Sequence, residues 1–448
     1  MNDVLLMTLI AFILFMSTGV TGPLSSLYAE SLGADYVAIG LLGTVRSLAA
    51  IVFGYVWGRA SDLWGERKLF LAGSLAALSL SYVLIALVRS YQWLYPLRVL
   101  GALAQAGYGT ASLALMGDLL ERRSEDRGRR MGTFRGLASL GFGLMALISG
   151  TIADRTSLRV PFVMAAVFAA MAFVAALFVR EPETDDPSVV REKTVREALR
   201  VARTLIVQMG QESKAAVGLA VRTTRGLFRR RSLARPEAVP AEAVPAEASD
   251  AVRLPLAPLL VSALLWSLVT GAVYAVWANY MVGEIKYTPA AMTAVWALAS
   301  TSEFPLMILA GWLSDRFGRL PMLSLGFLAW AVVFGGYVVA PVLPWIIGIQ
   351  LVRGFAYSAY TATAMTYASE VRSRAQRGWA SGLYSAAGGI GSIVGASVGG
   401  ALTQLAGFRV MFASMSALIF LGAVYLGVEA LRHRRKLSAQ SLKRGVQV

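Results

Sequence analysis

Cysteine is absent from the 448-residue chain, and histidine occurs once, at His433. Disulfides, thiol chemistry and clustered-histidine metal sites are thereby excluded. The phosphate-cradling Gly-x-x-x-x-Gly-Lys-[Ser/Thr] loop is missing too, which leaves no visible means of using ATP. Charged residues are scarce, at 15%, and acidic side chains almost vanish from the long apolar stretches. No nucleophile and base converge in those stretches, so the sequence calls for no metal and no cofactor, and an enzyme is a poor reading.

What remains is apolar. Hydrophobic residues make up 56% of the chain and the mean hydropathy is +0.61, too high for an ordinary soluble domain. A bilayer core about 30 Å thick needs roughly 20 apolar residues per helix. Twelve such runs are present, centred near Met16, Ser47, Ser79, Ala106, Phe142, Ala170, Thr270, Thr301, Trp330, Tyr357, Gly391 and Leu418. A lipid-exposed open sheet leaves its backbone unsatisfied, and a barrel would alternate over ten-residue strands, so the expected fold is an all-α polytopic membrane protein. The first run lacks the basic flank of a secretory signal and reads as a true helix, with Gly19, Gly22 and Pro23 predicting a kink.

The formal charge of +16 is explained by where the basic residues lie. With both termini inside, 33 of the 42 Lys and Arg fall on cytoplasmic segments and five on outer loops. That asymmetry is an insertion signal and orients the chain in the cell's inner (plasma) membrane, so nucleic acid is not an expected partner and the bilayer is. Residues 1–180 read as one six-helix bundle and 257–430 as a second. Residues 181–256 form a cytoplasmic linker and 431–448 a basic cytoplasmic tail. The linker's EAVPAEAVPAEA stretch reads as disordered. Upstream, Val195, Leu199, Ala202, Leu205, Ile206 and Met209 recur at helical spacing opposite Arg196, Arg200 and Arg203. Either an amphipathic helix on the inner leaflet or a solvated linker helix fits that pattern.

The two halves repeat one another. A shift of 253 lays Gly58, Ser61, Asp62 and Gly65 on Gly311, Ser314, Asp315 and Gly318. A shift of 252 lays Trp93, Tyr108 and Asp118 on Trp345, Tyr360 and Glu370, and one of 250 lays Gly141 and Gly150 on Gly391 and Gly400. Order and spacing preserved together indicate a duplicated six-helix unit. Carriers are often built so, with the site between the halves near the bilayer midplane.

On these residues the chain resembles the major facilitator superfamily. That family's loop between helices 2 and 3, Gly-x-x-x-Asp-x-x-Gly-x-[Arg/Lys]-[Arg/Lys], is met by Gly58, Asp62, Gly65, Arg67 and Lys68, and more loosely by Gly311, Asp315, Gly318 and Arg319. The resemblance implies two pseudo-symmetric six-helix bundles and a cytoplasmic gate in which the aspartate pairs with a basic residue and a helix N-terminus. The alternative is a plain turn with solvated charges. RVLGALAQAGYGTA, from Arg98, is similar to the family's helix 4 motif, whose arginine is linked to proton transfer. A structural arginine snorkelling to the outer surface is the other reading of Arg98. Gly391, Gly395 and Gly399 form a small-residue ridge that lets helices approach. The family's antiporters carry a Gly-Pro pair in helix 5, where this chain has Met145 and Ala146.

Glu303 is the one carboxylate well inside an apolar run. On insertion scales a charge at that depth costs roughly 2.5 to 3.5 kcal/mol, so it must protonate, pair or face water. Arg353, at comparable depth on the same half, is its expected partner. Glu303 then carries the coupling proton while Arg353 pairs alternately with it or with a substrate anion; a static ion pair is the competing reading. Arg46 lies near mid-helix with no acid at its depth, to bind an anionic or carbonyl-bearing substrate or to cap helix carbonyls. Trp266, Tyr274, Trp277 and Tyr280 form either a stacking wall for substrate or ordinary packing. These observations predict a secondary transporter of a small organic solute, coupled to protons, working by alternating access. A non-transporting membrane sensor is the alternative, and efflux of lipophilic or sugar-like compounds stands beside uptake of a polar or acidic metabolite.

Overall fold

The computed structural model describes residues 3–64, 67–121, 127–180, 254–339, 342–370 and 377–445. Among these residues every regular element is helical and no strand occurs. Gly65 and the segment 181–253, with its expected amphipathic helix, lie outside the described residues. So do the surroundings of Gly58 and the side chain of Asp62.

The first half runs α1 (Asp3–Thr21), α2 (Ser25–Ser31), α3 (Tyr36–Trp64), α4 (Arg67–Leu87), α5 (Leu94–Glu121), α6 (Arg127–Arg155) and α7 (Val160–Leu177). The second runs α8 (Leu256–Asn279, continued by a π turn at Tyr280–Glu284), α9 (Pro289–Phe317), α10 (Arg319–Val339), α11 (Leu343–Glu370) and α12 (Arg377–Gly445). The chain breaks between α1 and α2 at Gly22 and Pro23, which fits the kink that the sequence predicts; together the two helices make one crossing. α12 makes two, because Gly407 adopts φ 83°, a backbone region that side chains disfavour, and divides the helix there. Twelve crossings result, two bundles of six. The last helix continues through the residues expected as a tail, as far as Gly445.

The duplication extends from sequence into contacts. Asp35 Oδ1 accepts from Ala38 N at 2.7 Å to cap α3, and Thr288 Oγ1 accepts from Ala291 N at 3.1 Å to cap α9, one repeat later. Tyr28 donates to the Ile85 carbonyl at 2.8 Å and Tyr280 to that of Tyr337 at 2.6 Å. Arg67 pairs with Asp118, and Arg319 with Glu370 at 2.7 Å. Such matched bonds are what a copied fold predicts and convergent packing does not.

Twelve crossings return the chain to the end at which it began; at that end the Arg180 amide donates to Asp3 Oδ1 at 3.3 Å and Arg434 Nη2 to the Phe317 carbonyl at 3.2 Å. At the far end the halves are sealed together. A buried cluster that also runs the length of the second half joins Leu27, Tyr28 and Ile39 of the first half to Trp277, Tyr280 and Phe408 of the second there. Nearer the termini the first half keeps a separate core around Met7, Leu71, Leu115 and Phe134. The bonds joining the halves follow the same division. Tyr36 N donates to Gln404 Oε1 at 3.1 Å, Asn279 Nδ2 to Glu30 Oε2 at 2.6 Å and Ala290 N to Asp154 Oδ2 at 2.9 Å, all at far ends of their helices. Mid-helix, Ser47 and Ser392 hydroxyls meet at 3.0 Å. Towards the termini, a Cβ added at Gly54, Gly136, Gly311 or Gly382 would meet nothing within 4 Å, so close approach of these four helices ends there.

Candidate functional site

Two polar centres occupy the middle of the bundle. The first joins α9 and α11. Pro305 removes a backbone donor from α9, and the helix bends by 43° between its two limbs, Pro289–Glu303 and Pro305–Phe317. Glu303 ends the upper limb. Gly354 lets α11 approach at this level, since a Cβ there would run into Ser302 Oγ. The approach brings Arg353 Nη2 to 3.5 Å from Glu303 Oε1. The arginine side chain is 5% exposed and the glutamate 21%, so the base is the more enclosed of the two. The guanidinium lies over the Trp296 ring at 4.5 Å and the Tyr274 ring at 5.7 Å. Its Nε and Nη1 have no hydrogen-bond partner among the described residues. An arginine so enclosed rests on one long ion pair and two ring faces, an arrangement that a proton on Glu303 would undo. α9 is apolar enough to cross a membrane only when its two bent limbs are taken together, and α11 does not reach that standard by composition alone. Both helices carry the polar residues of this centre.

The second centre is a cavity between the halves. Arg46 from α3 and Arg98 from α5 line it, together with Gly22 and Ser25 at the α1–α2 break. Tyr274, Trp277 and Trp296 of the second half form the opposite wall. Arg98 therefore faces the central space rather than the outer surface. Neither arginine has an ion pair or hydrogen bond among the described residues. Of the aromatic residues in α8, Tyr274 and Trp277 reach the cavity. Trp266 instead stacks on Tyr360, with centroids 4.4 Å apart, and Tyr280 packs against Phe412 at 4.7 Å. Trp296 touches both centres: it covers Arg353 on one side, meets Trp277 at 5.1 Å and lines the cavity.

The repeated turns lie at the end that carries the termini. Gly318 closes α9 with φ 95°, which accounts for glycine in that place of the motif. Arg319 then donates to Asp315 Oδ1 at 2.5 Å, to Ser314 Oγ at 3.0 Å and through its fork to both Glu370 oxygens, at 2.9 and 2.7 Å. Arg67 donates to Asp118 and to the Ala114 carbonyl, and Lys68 follows it in the first turn of α4. These described bonds stay within one half each. The glycine ridge sits elsewhere: side chains at Gly391, Gly395 and Gly399 would strike the carbonyl oxygens of Leu264, Leu268 and Ala272 on α8.

Three buried or inter-half polar and aromatic residues escape a reading of the sequence. Gln350 is fully buried and neither amide atom is bonded among the described residues. The repeat holds the signal for it, since a shift of 252 from Arg98 lands on Gln350. Trp296 stands seven residues before Glu303, two helical turns away on the same face. Glu30 clasps Asn279 across the halves and carries no pattern that foretells it.

A family model described as Major Facilitator Superfamily matches residues 7–301 and 259–447. A maltose permease of Geobacillus stearothermophilus is 25% identical over 429 residues, covering 94% of this chain and 93% of its own. A multi-drug resistance efflux pump, PmrA of Streptococcus pneumoniae, is 34% identical over 115 residues, 25% of this chain and 28% of its own. Among solved structures, nucleoside transporter NupG superposes with a TM-score of 0.71 at 15% identity, covering 97% of this chain and 99% of NupG. At that identity the likeness is one of fold.

Proposed function

Because this chain belongs to the Major Facilitator Superfamily and is a multi-pass membrane transporter of a small molecule, we propose that it couples solute movement to protons through Glu303 and Arg353. The observation that carries this reading is the 3.5 Å contact between the two, in a chain whose other described carboxylates, Glu429 of the long last helix apart, lie near the helix ends. With Glu303 ionised, Arg353 is held beneath Trp296 and Tyr274. Protonation of Glu303 abolishes that attraction, and the bend at Pro305 gives α9 a place to straighten or turn. A proton and a solute that each favour one arrangement of the halves then become linked through the same equilibrium. Alternating access follows: the far end, sealed in this structure, opens as the end bearing the termini closes. The positive-inside asymmetry supports placing that latter end in the cytoplasm, in the cell's inner membrane.

The named relatives include a permease and an efflux pump, so direction is not taken from them. The expected test uses vesicles containing purified protein, a solute identified by thermal-shift screening and an imposed pH gradient. The natural protein accumulates the solute above equilibrium, whereas Glu303→Gln only equilibrates it. Undiminished proton-driven accumulation by Glu303→Gln removes the proposed coupling.

A further inference from the structure

Resting on the transport reading above, we propose that the cavity between the halves takes an organic anion. Arg46 and Arg98 hold its acid group jointly, while an aromatic or apolar body lies against Trp277, Trp296 and Tyr274. No acidic side chain lines this cavity among the described residues. Three other arginines that are covered or half-covered have a carboxylate: Arg353 has Glu303, Arg67 has Asp118 and Arg319 has Glu370, whereas exposed ones such as Arg135, Arg155 and Arg316 have no ion pair among the described residues. Arg46 and Arg98 have none, yet they face the same space. Two like charges there repel each other, and one anion relieves both. Guanidinium forks match the planar or tetrahedral oxygens of carboxylate, sulfonate and phosphate, which a neutral solute cannot reproduce. The opposite wall offers three aromatic side chains and no cation, so the far side of the ligand is apolar.

The two recognition elements come from different halves. Both arginines belong to the first half, on α3 and α5, and the rings belong to the second, on α8 and α9. An anion that satisfies both therefore ties the halves together and favours the arrangement in which they approach, which is the differential affinity that transport requires. Trp296 also covers Arg353, so occupancy of the cavity and the state of the Glu303 pair meet at one ring.

The test measures binding, by thermal shift and intrinsic tryptophan fluorescence, on the purified full-length protein. The probes are 2-naphthoate, 2-naphthalenesulfonate and 2-naphthyl phosphate, with 2-naphthamide as the neutral counterpart and 2-naphthylmethylammonium as the cation. At least one anion is expected to bind roughly tenfold or more tightly than the amide, the span of a charge-assisted hydrogen bond. Arg46→Gln and Arg98→Gln should each remove a comparable factor, and Arg98→Glu in the Arg46→Gln background should favour the ammonium. Amide binding as tight as any anion, an unaltered anion affinity in the double glutamine variant, or no binding by all three anions overturns the proposal. The comparison of acid with amide needs no variant and so is independent of folding defects. Anion binding without flux in vesicles would sink the transport reading alone; flux indifferent to probe charge would sink this one alone.

Discussion

Arg319 ties together three helix ends: the last turn of α9, the first residue of α10 and the last of α11. Its side chain is 15% exposed, and the carboxylates it joins are 70% and 42% exposed. Exposed pairs alone are worth little, but a bidentate fork on a largely covered guanidinium exceeds the usual surface value. In the first half Arg67 joins the start of α4 to α5, through Asp118 and the Ala114 carbonyl. Arg319→Gln and Arg67→Gln should each lower stability by about 1 kcal/mol, after discounting for solvent. Thermal unfolding of purified protein would read both, and unchanged midpoints for both would show that these bonds hold nothing. Arg319→Lys keeps the charge but loses the fork, so it should fall between the two.

At the scale of elements, the packing of α12 on α8 depends on three glycines spaced by four residues. Hydrocarbon gives apolar side chains no reason to leave lipid for one another, so close backbone approach has to supply the contact. Gly395→Val places side-chain atoms where the Leu268 carbonyl already stands and should cost roughly 1–3 kcal/mol or more, with loss of flux. Gly382→Val, in the same helix but with nothing near its Cβ position, is the matched control and should be close to neutral. Equal unfolding midpoints for the two variants would contradict the packing account. The helices and their pairing were legible in the sequence because lipid demands long apolar runs and because a duplicated unit shows itself as a repeat. Glu303 and Arg353 stood out for a related reason: a charge in an apolar run is conspicuous, and equal depth on one half pointed to its partner. Trp296, Gln350 and the Glu30–Asn279 clasp were not legible. A tryptophan or glutamine among apolar residues looks like packing until several helices converge on it, and a contact across halves depends on their relative placement, which no local pattern encodes.

At the scale of the whole molecule, the described backbone and side-chain bonds between the halves are concentrated at the end away from the termini. A carrier that alternates must break that seal in each cycle, although the seal is built from small residues and hydroxyls as well as rings. Gly40 and Gly400 admit each other's backbones there, and Thr44 Oγ1 meets Ser397 Oγ at 2.6 Å. The absence of cysteine from the natural chain makes a clean test available. Side-chain oxygens this close bring the Cβ atoms near the span that a disulfide requires, so a Thr44→Cys, Ser397→Cys double variant should cross-link under mild oxidation. Flux should stop on oxidation and return on reduction, while both single variants stay active under the same oxidant. The lock should act on movement and not on recognition, because Arg46 and Arg98 face a cavity that the cross-link leaves in place. Flux that persists after complete cross-linking would mean that the halves need not part at this level, and transport would then have to proceed by another opening.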